Sequence, residues 1–201
     1  MYKSLLALAS LVAMLGGAQA ANLVSNGTFV PDGSGNPTGW AVLFDSNTDV
    51  GTVFSISNGP DINSGLDCPA ASCLVAGPVD GFAHVSQAIT TAAPGNYTIS
   101  FDLGSIATTA GSNSSFSASF GGQVILASND VVLQPWQHFS LVAAETGGST
   151  PLSFSFLAPG GYYGITNVSV LAGAVPEPSA YALMLAGLGA LGFLARRRTK
   201  A

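Results

Sequence analysis

Short runs in which apolar and polar residues alternate fill residues 22–171. Clusters of Gly, Pro, Asn and Ser separate these runs, which is typical of half-buried β-strands joined by turns. About ten strands are predicted, and their number and spacing favour one all-β domain, a two-sheet antiparallel sandwich. The clearest runs are 97–103, 116–120, 139–143 and 152–156, and the weaker ones are 40–44, 52–56, 74–77, 82–89, 124–127 and 163–171. The longest loops are expected at residues 31–39 and 59–73.

The two ends of the chain have a different pattern. Lys3 precedes an apolar run at residues 5–15, and Ala18-Gln19-Ala20 supplies the small side chains of a cleavage site. These features predict a secretory signal peptide at residues 1–20, removed by signal peptidase after Ala20. Residues 21–174 are then long enough for one domain with its own core.

Residues 179–195 carry no charge and predict a transmembrane helix. As a helix these residues would be roughly 25 Å long, just enough to cross a thin bilayer. The basic cluster behind this run should stay in the cytoplasm as an anchor. The cluster contains Arg196, Arg197 and Arg198.

A short polar motif precedes the apolar run. It consists of Val175, Pro176, Glu177 and Pro178. Because neither proline continues a helix backwards, the Glu177 carboxylate is expected on an extended, accessible segment above the membrane.

This motif, the apolar helix and the arginine cluster together resemble the PEP-CTERM sorting signal of Gram-negative bacteria, at residues 175–201. The resemblance implies that a membrane-embedded exosortase cuts near the motif. The inner membrane would then hold the protein only transiently, before its delivery to the cell surface or extracellular matrix. An ordinary anchor that is never cut is the alternative.

The charge of the predicted ectodomain restricts its partners. All five Lys and Arg residues of the chain lie in the two ends, whereas residues 21–174 contain nine carboxylates and so have a formal charge of −9 with His neutral. Nucleic acid is excluded as a partner, because phosphate binding needs clustered Lys or Arg. Any polysaccharide ligand should be neutral or bridged by calcium.

Cys68 and Cys73 are the only cysteines of the chain. In an exported protein they predict a local disulfide, which closes a small loop and is expected to constrain a surface turn more than the core.

The edges of the predicted domain carry a second resemblance. Residues 22–29 (NLVSNGTF) with Gly39-Trp40, and residues 162–170 (YYGITNVSV), are similar to the opening and closing strands of jelly-roll carbohydrate-binding modules with a galactose-binding-like fold. Such modules place acids of a structural calcium site where this chain has Val30 and Thr166. The resemblance therefore implies the fold and a sugar ligand, without that calcium.

Two segments offer oxygen ligands at alternate positions, as the first half of a calcium loop does. Neither has the Glu that such a loop needs at its twelfth position, so Asx turns are the other interpretation. No other cofactor is predicted. The segments contain Asp32, Ser34 and Asn36, and Asp45, Asn47 and Asp49.

Exposed aromatic rings would be the means of binding a sugar, since they stack on the apolar face of a pyranose. Trp136 follows Gln134-Pro135 at a loop edge and is the first candidate, ahead of Tyr162, Tyr163 and Trp40. Most of these rings are expected in the core.

Catalytic chemistry has little support in the sequence, and the protein is predicted not to be an enzyme. No nucleophile or zinc motif surrounds His84 or His138, and Asp102 with Asp130 is only a weak carboxylate pair. Two functions stay open: a glycan-binding module of the cell surface or biofilm matrix, and a structural coat protein without a specific sugar. Exposed aromatics on one face would favour the first, and surfaces of small residues the second.

Overall fold

The computed structural model describes residues 20–45, 52–60, 65–106, 113–129, 136–173, 184–191 and 196. Within these ranges the chain forms two five-stranded antiparallel sheets, which confirms the predicted sandwich. The first sheet has the order β1-β4-β9-β6-β7 and the second β2-β3-β10-β5-β8. The strands are β1 (Ala41–Phe44), β2 (Thr52–Pro60), β3 (Asp67–Gly77), β4 (Ala83–Thr91), β5 (Gly95–Ile106), β6 (Ser115–Phe120), β7 (Gln123–Asn129), β8 (Gln137–Glu145), β9 (Gly148–Leu157) and β10 (Tyr162–Ala172).

Aromatic side chains from both sheets fill the space between them. Phe101 of β5 meets Phe154 of β9 edge to face, with ring centroids 5.3 Å apart, and Phe116 of β6 lies 5.4 Å from Phe156. The alternation in the sequence explains this packing, because every second residue of β6 and β9 is buried while the serines between them are partly exposed. Burial of these apolar faces drives the association of the two sheets.

Trp40 belongs to this core. Its ring is 4.7 Å from Phe29 and 6.0 Å from Phe154, its Nε1–H donates to the Asn26 carbonyl, and only 8 % of the residue is exposed. Tyr163 is 2 % exposed. The prediction that these two rings could stack on a sugar is therefore wrong.

Residues 22–29, which resemble an opening strand, do not form one. Asn26 and Phe29 have φ angles of 51° and 54°, in the left-handed region that interrupts an extended chain. The segment is instead joined to β10 by backbone hydrogen bonds on either side of Asn26. They run from Leu23 N to Val170 O and from Val168 N to Gly27 O, each 2.9 Å long.

The predicted loop at residues 59–73 is largely strand. β2 continues to Pro60 and β3 begins at Asp67, so both cysteines lie within β3. They form the predicted disulfide. Because Ser57 pairs with Ser72 and Gly59 with Cys68, one residue of β2 faces three of β3, and the disulfide closes this bulge.

Both cysteines are buried, which corrects the expectation that the disulfide constrains a surface turn. Cys68 and Cys73 pack with Leu66 and Val75 in a small apolar cluster on the outer face of the second sheet. We call it the outer cluster. Its partly buried members are Phe54, Ile106, Trp136 and Tyr162.

Residues 184–191, in the predicted spanning segment, are helical and exposed. Among the described residues there is no helix with the length and hydropathy needed to cross a bilayer. Ala18, the sorting motif at residues 175–178, Arg197 and Arg198 lie outside the described ranges, as does Asp130.

Candidate functional site

Trp136 lies over a pair of glycines on the outer face of the second sheet. Gly104 of β5 and Gly164 of β10 are directly opposite each other in the strand register. A Cβ placed on Gly104 would lie 2.7, 2.9 and 3.2 Å from three atoms of the indole, and a Cβ on Gly164 would also meet the ring. Because these three ring atoms are nearly equidistant, the indole face and not its edge rests on the backbone.

The rest of the indole is held by polar and apolar contacts. Its Nε1–H donates to the Asp67 carbonyl at 2.8 Å, and the ring packs on Leu66 in the outer cluster. Trp136 is consequently half-buried and fixed in one orientation, with part of the ring exposed. Its role in sugar stacking stays a prediction.

A polar network lies beside this ring. Asp102 accepts hydrogen bonds at both carboxylate oxygens, from His138 Nδ1 and from Asn167 Nδ2, each 2.7 Å away. Asp102 lies two residues before Gly104 along β5, so the backbone positions of these two residues are about 7 Å apart. The side chains of His138 and Asp102 are 63 % and 21 % exposed, which leaves donors and acceptors accessible to a ligand.

No local pattern in the sequence indicates this network. Asp102 meets His138 only through the pairing of β5 with β8, and Asn167 reaches it from a bulge in β10 between Thr166 and Ser169. The sequence does contain one signal of the Trp136 site, because a glycine within a strand often marks a close approach of another group to the backbone. Gly104 and Gly164 are two such residues.

Tyr162, the other candidate ring that is not fully buried, packs into the outer cluster. Its ring covers Gly77, where a Cβ would lie 2.5 Å from two ring atoms. Tyr162 and Trp136 therefore share one apolar cluster on the same face of the domain.

The outer face of the first sheet has a different character. Its five strands contain no Asp, Glu, Lys or Arg. Serines of neighbouring strands lie opposite one another on this face, and we call it the serine face. Ser86, Ser153 and Ser119 form one row, and His84, Ser155 and Ser117 form the next.

His84 links two polar side chains at the edge of the serine face. Its Nε2 lies 2.8 Å from Asp45 Oδ1 and its Nδ1 lies 2.8 Å from Ser155 Oγ. Acyl transfer by such a group would need free donors for an oxyanion. Since β9 pairs with β4 on one side and with β6 on the other, the sheet itself uses the backbone donors around Ser155. We therefore interpret the arrangement as a hydrogen-bonded bridge.

Asp32, a calcium candidate, forms an Asx turn. Its Oδ1 accepts hydrogen bonds from the backbone N–H groups of Asn36, at 2.9 Å, and of Ser34, at 2.8 Å. These bonds, that from Asn36 first, hold the pKa of the Asp32 carboxyl below its ordinary value. Asp45, the second candidate, is bonded to His84, and Asn47 and Asp49 lie outside the described residues.

The position of Thr166, at which the resemblance to carbohydrate-binding modules would place a calcium-binding acid, offers no carboxylate. Thr166, fully buried, donates its hydroxyl to the Ser72 carbonyl at 2.8 Å, and the Ser72 hydroxyl donates to the Thr28 carbonyl at 2.7 Å. Both hydroxyls are therefore used as hydrogen-bond donors within the fold. In the part of the chain that the structure describes, no group of three or more His, Cys, Asp or Glu is arranged to hold a metal ion.

Comparison with known families identifies the tail. Residues 174–198 match the family model of the PEP-CTERM protein-sorting motif. No curated protein matches the chain in sequence. The motif implies an exported protein that is transiently anchored in a membrane.

Comparison with solved structures identifies the fold. The chain is similar to TmCBM61 in complex with β-1,4-galactotriose, with a TM-score of 0.53 and 14 % identity over 77 % of this chain and 100 % of that one. It is also similar to the K3 cleaved adhesin domain of Lys-gingipain from Porphyromonas gingivalis, with a TM-score of 0.51 and 13 % identity over 76 % and 100 % of the two chains.

A third similar structure is the enzymatically active domain of tailspike protein 4 from bacteriophage CBA120. The TM-score is 0.52 at 22 % identity, and the match covers 75 % of this chain but only 21 % of that one. At such identities the likeness establishes the fold alone. The chain thus carries a PEP-CTERM protein-sorting motif at residues 174–198, preceded by a two-sheet β-sandwich with the fold of carbohydrate-binding modules.

Proposed function

We propose that this protein is exported by a Gram-negative cell, cut by an exosortase near Val175–Pro178, and delivered to the cell surface or extracellular matrix. Residues 1–20 act as the signal peptide, 21–174 as the ectodomain and 175–201 as the sorting signal. The observation that carries the proposal is the match of residues 174–198 to the sorting motif, directly after the last described residue of the sandwich, Gly173.

We further propose that the ectodomain binds a neutral glycan at the outer face of the second sheet. A fixed, partly exposed indole can stack on the apolar face of a pyranose, and Trp136 is held in this way by its paired glycines. The Asp102 network lies within reach of the hydroxyls of the same sugar. Because the domain has no Lys or Arg to attract an anion, the ligand is uncharged.

Binding to an array of neutral polysaccharides tests this function. Trp136→Ala should weaken binding by about 1–3 kcal/mol, by analogy with bases that stack on aromatic rings. Val142→Ala is the matched control, because Val142 is 66 % exposed on the same face and lies four residues along β8 from His138. Equal binding by the wild type and Trp136→Ala would contradict this role of the indole.

The serine face supports a second function, that of a structural coat or biofilm-matrix protein without a specific sugar ligand. An uncharged sheet face can pack against a copy of itself even though the domain is strongly acidic overall. Ser153→Asp places a carboxylate in the middle of this face and should then abolish self-association, measured by sedimentation. Wild-type protein that stays monomeric at high concentration would contradict the coat function. We assign no catalytic role to either face.

A further inference from the structure

A small apolar pocket opens at the end of the sandwich from which the chain leaves for the sorting motif. Its volume is about 120 Å³, comparable with the roughly 150 Å³ cavity that holds a benzene molecule in another protein. The N-terminal segment, the β4–β5 turn and the end of β10 supply its walls, and no carboxylate lines it. The wall residues include Leu23, Ala92, Ala93, Pro94, Tyr97 and Ala172.

The chain leaves the domain at the rim of this pocket. Gly173 also lines the pocket, and its N–H donates to the Asn96 carbonyl at 2.7 Å. A Cβ on Gly173 would lie 2.7 Å from the same oxygen, so only glycine allows the backbone to approach β5 this closely. The hydrogen bond fixes the exit point relative to the β4–β5 turn.

The distance from this exit to the sorting motif is short. Glu177 is the fourth residue after Gly173, and even a fully extended chain of four residues spans at most about 14 Å. The apolar run begins at Ser179, which is at most about 21 Å from Gly173. A membrane-embedded enzyme that binds the motif must therefore approach the pocket.

We infer that the pocket docks an apolar side chain on the outward rim of the membrane-embedded processing enzyme. A concave site of this volume fits one side chain of a protein, whereas a lipid surface would need a broad or elongated apolar face. The absence of carboxylates from the pocket of so acidic a domain matches an uncharged partner. The inference rests on the proposed exosortase processing. It adds the end of the sandwich that carries the pocket to the features that the enzyme recognises.

The test follows cleavage of the full chain in a host that carries the enzyme, by pulse-chase and intact mass. Ala93→Glu puts a charge at the pocket and should slow cleavage at least about fivefold, the effect of losing one well-packed apolar contact at an interface. Ala88→Glu is the control, because Ala88 is exposed on β4 away from the pocket, and it should be cleaved at the wild-type rate. Ala92→Glu provides a second pocket variant should Ala93→Glu unfold.

A flexible linker of twelve Gly and Ser residues between Gly173 and Ala174 separates docking from simple crowding. If the enzyme docks at the pocket, the linker separates this docking from binding of the motif. Cleavage of the protein with the wild-type domain should then slow to the rate of Ala93→Glu. The inference would be overturned if the linker raised the cleavage rate of Ala93→Glu to that of the wild type. It would also be overturned if all variants without the linker were cleaved at equal rates. Glu177→Ala tests the proposed processing separately: if that variant is still cut normally, the proposed function fails, and not only the docking.

Discussion

The contact between Trp136 and its paired glycines predicts a strong coupling between two substitutions. In Gly104→Ala the new Cβ would lie 2.7 Å from the indole Cδ2, whereas carbon atoms in favourable contact are about 3.5–4.0 Å apart. The indole would have to rise by about 1 Å, which strains the hydrogen bond to the Asp67 carbonyl. Overpacking of this kind costs about 1–3 kcal/mol.

The same substitution should have the opposite sign once the indole is removed. In a Trp136→Ala background the Cβ meets no ring, and Ala is favoured over Gly within a strand by about 0.5–1 kcal/mol. The predicted coupling energy is the difference of the two effects, about 1.5–4 kcal/mol. For a domain of this size, Gly104→Ala then lowers Tm by about 2–12 °C in the wild type and raises it by about 1–4 °C without Trp136.

Thermal unfolding of the four proteins, followed by far-ultraviolet circular dichroism, measures this cycle. Gly95→Ala is the matched control on the same strand, since its Cβ would meet nothing within 4 Å, and it should be neutral or slightly stabilising in both backgrounds. Additive effects of Gly104→Ala and Trp136→Ala would show that the indole does not rest on the glycines. The proposed glycan site would then lack the fixed aromatic ring that it requires.

Three further predictions concern stability. Trp40→Ala should cost about 3–5 kcal/mol in urea unfolding because it removes a core ring; a cost below about 1 kcal/mol would contradict its burial. Replacing Cys68 and Cys73 together by Ala should lower the unfolding free energy by about 2 kcal/mol, the value expected for so short a loop. An unchanged Tm in this double variant would show that the disulfide does not constrain the bulge. Because its pKa is lowered in the folded state, the Asp32 carboxylate stabilises the fold above its ordinary pKa of 3.8, and this contribution is lost as pH falls through the folded pKa. Asp32→Asn should therefore reduce the dependence of Tm on pH between about 5 and 2, and an unchanged dependence would contradict the Asx turn.

Most of the fold was predictable because strand position depends on local alternation. In 115–120 and 152–157, one face is Phe, Leu or Ala and the other mainly Ser, so the pattern alone predicts which side is buried. Residues 22–29 were wrongly predicted to form a strand, because their conformation does not depend on local alternation alone. Their composition suits a strand, but the left-handed conformations of Asn26 and Phe29 depend on contacts with the rest of the domain, including the two hydrogen bonds that Asn26 Nδ2 donates to the carbonyls of Val30 and Thr38.

The candidate site was only partly predictable. Trp136 could be chosen as an aromatic residue at a loop edge. Its packing on the backbone depends on the strand register that places Gly104 opposite Gly164, and no local pattern reveals that register. The meeting of Asp102 with His138 and Asn167 likewise requires three strands to be aligned. The disulfide could be predicted from the cysteine count, whereas its burial depends on the extension of β3 into the expected loop.

Whether the tail of this chain is a sorting signal that is cut can be read from the intact mass of the protein recovered outside the inner membrane. In a host that carries an exosortase, we expect a mature chain that begins after Ala20 and lacks Arg196 to Lys200. Surface protein that retains the complete tail in such a host would show that the tail is not a cleaved sorting signal.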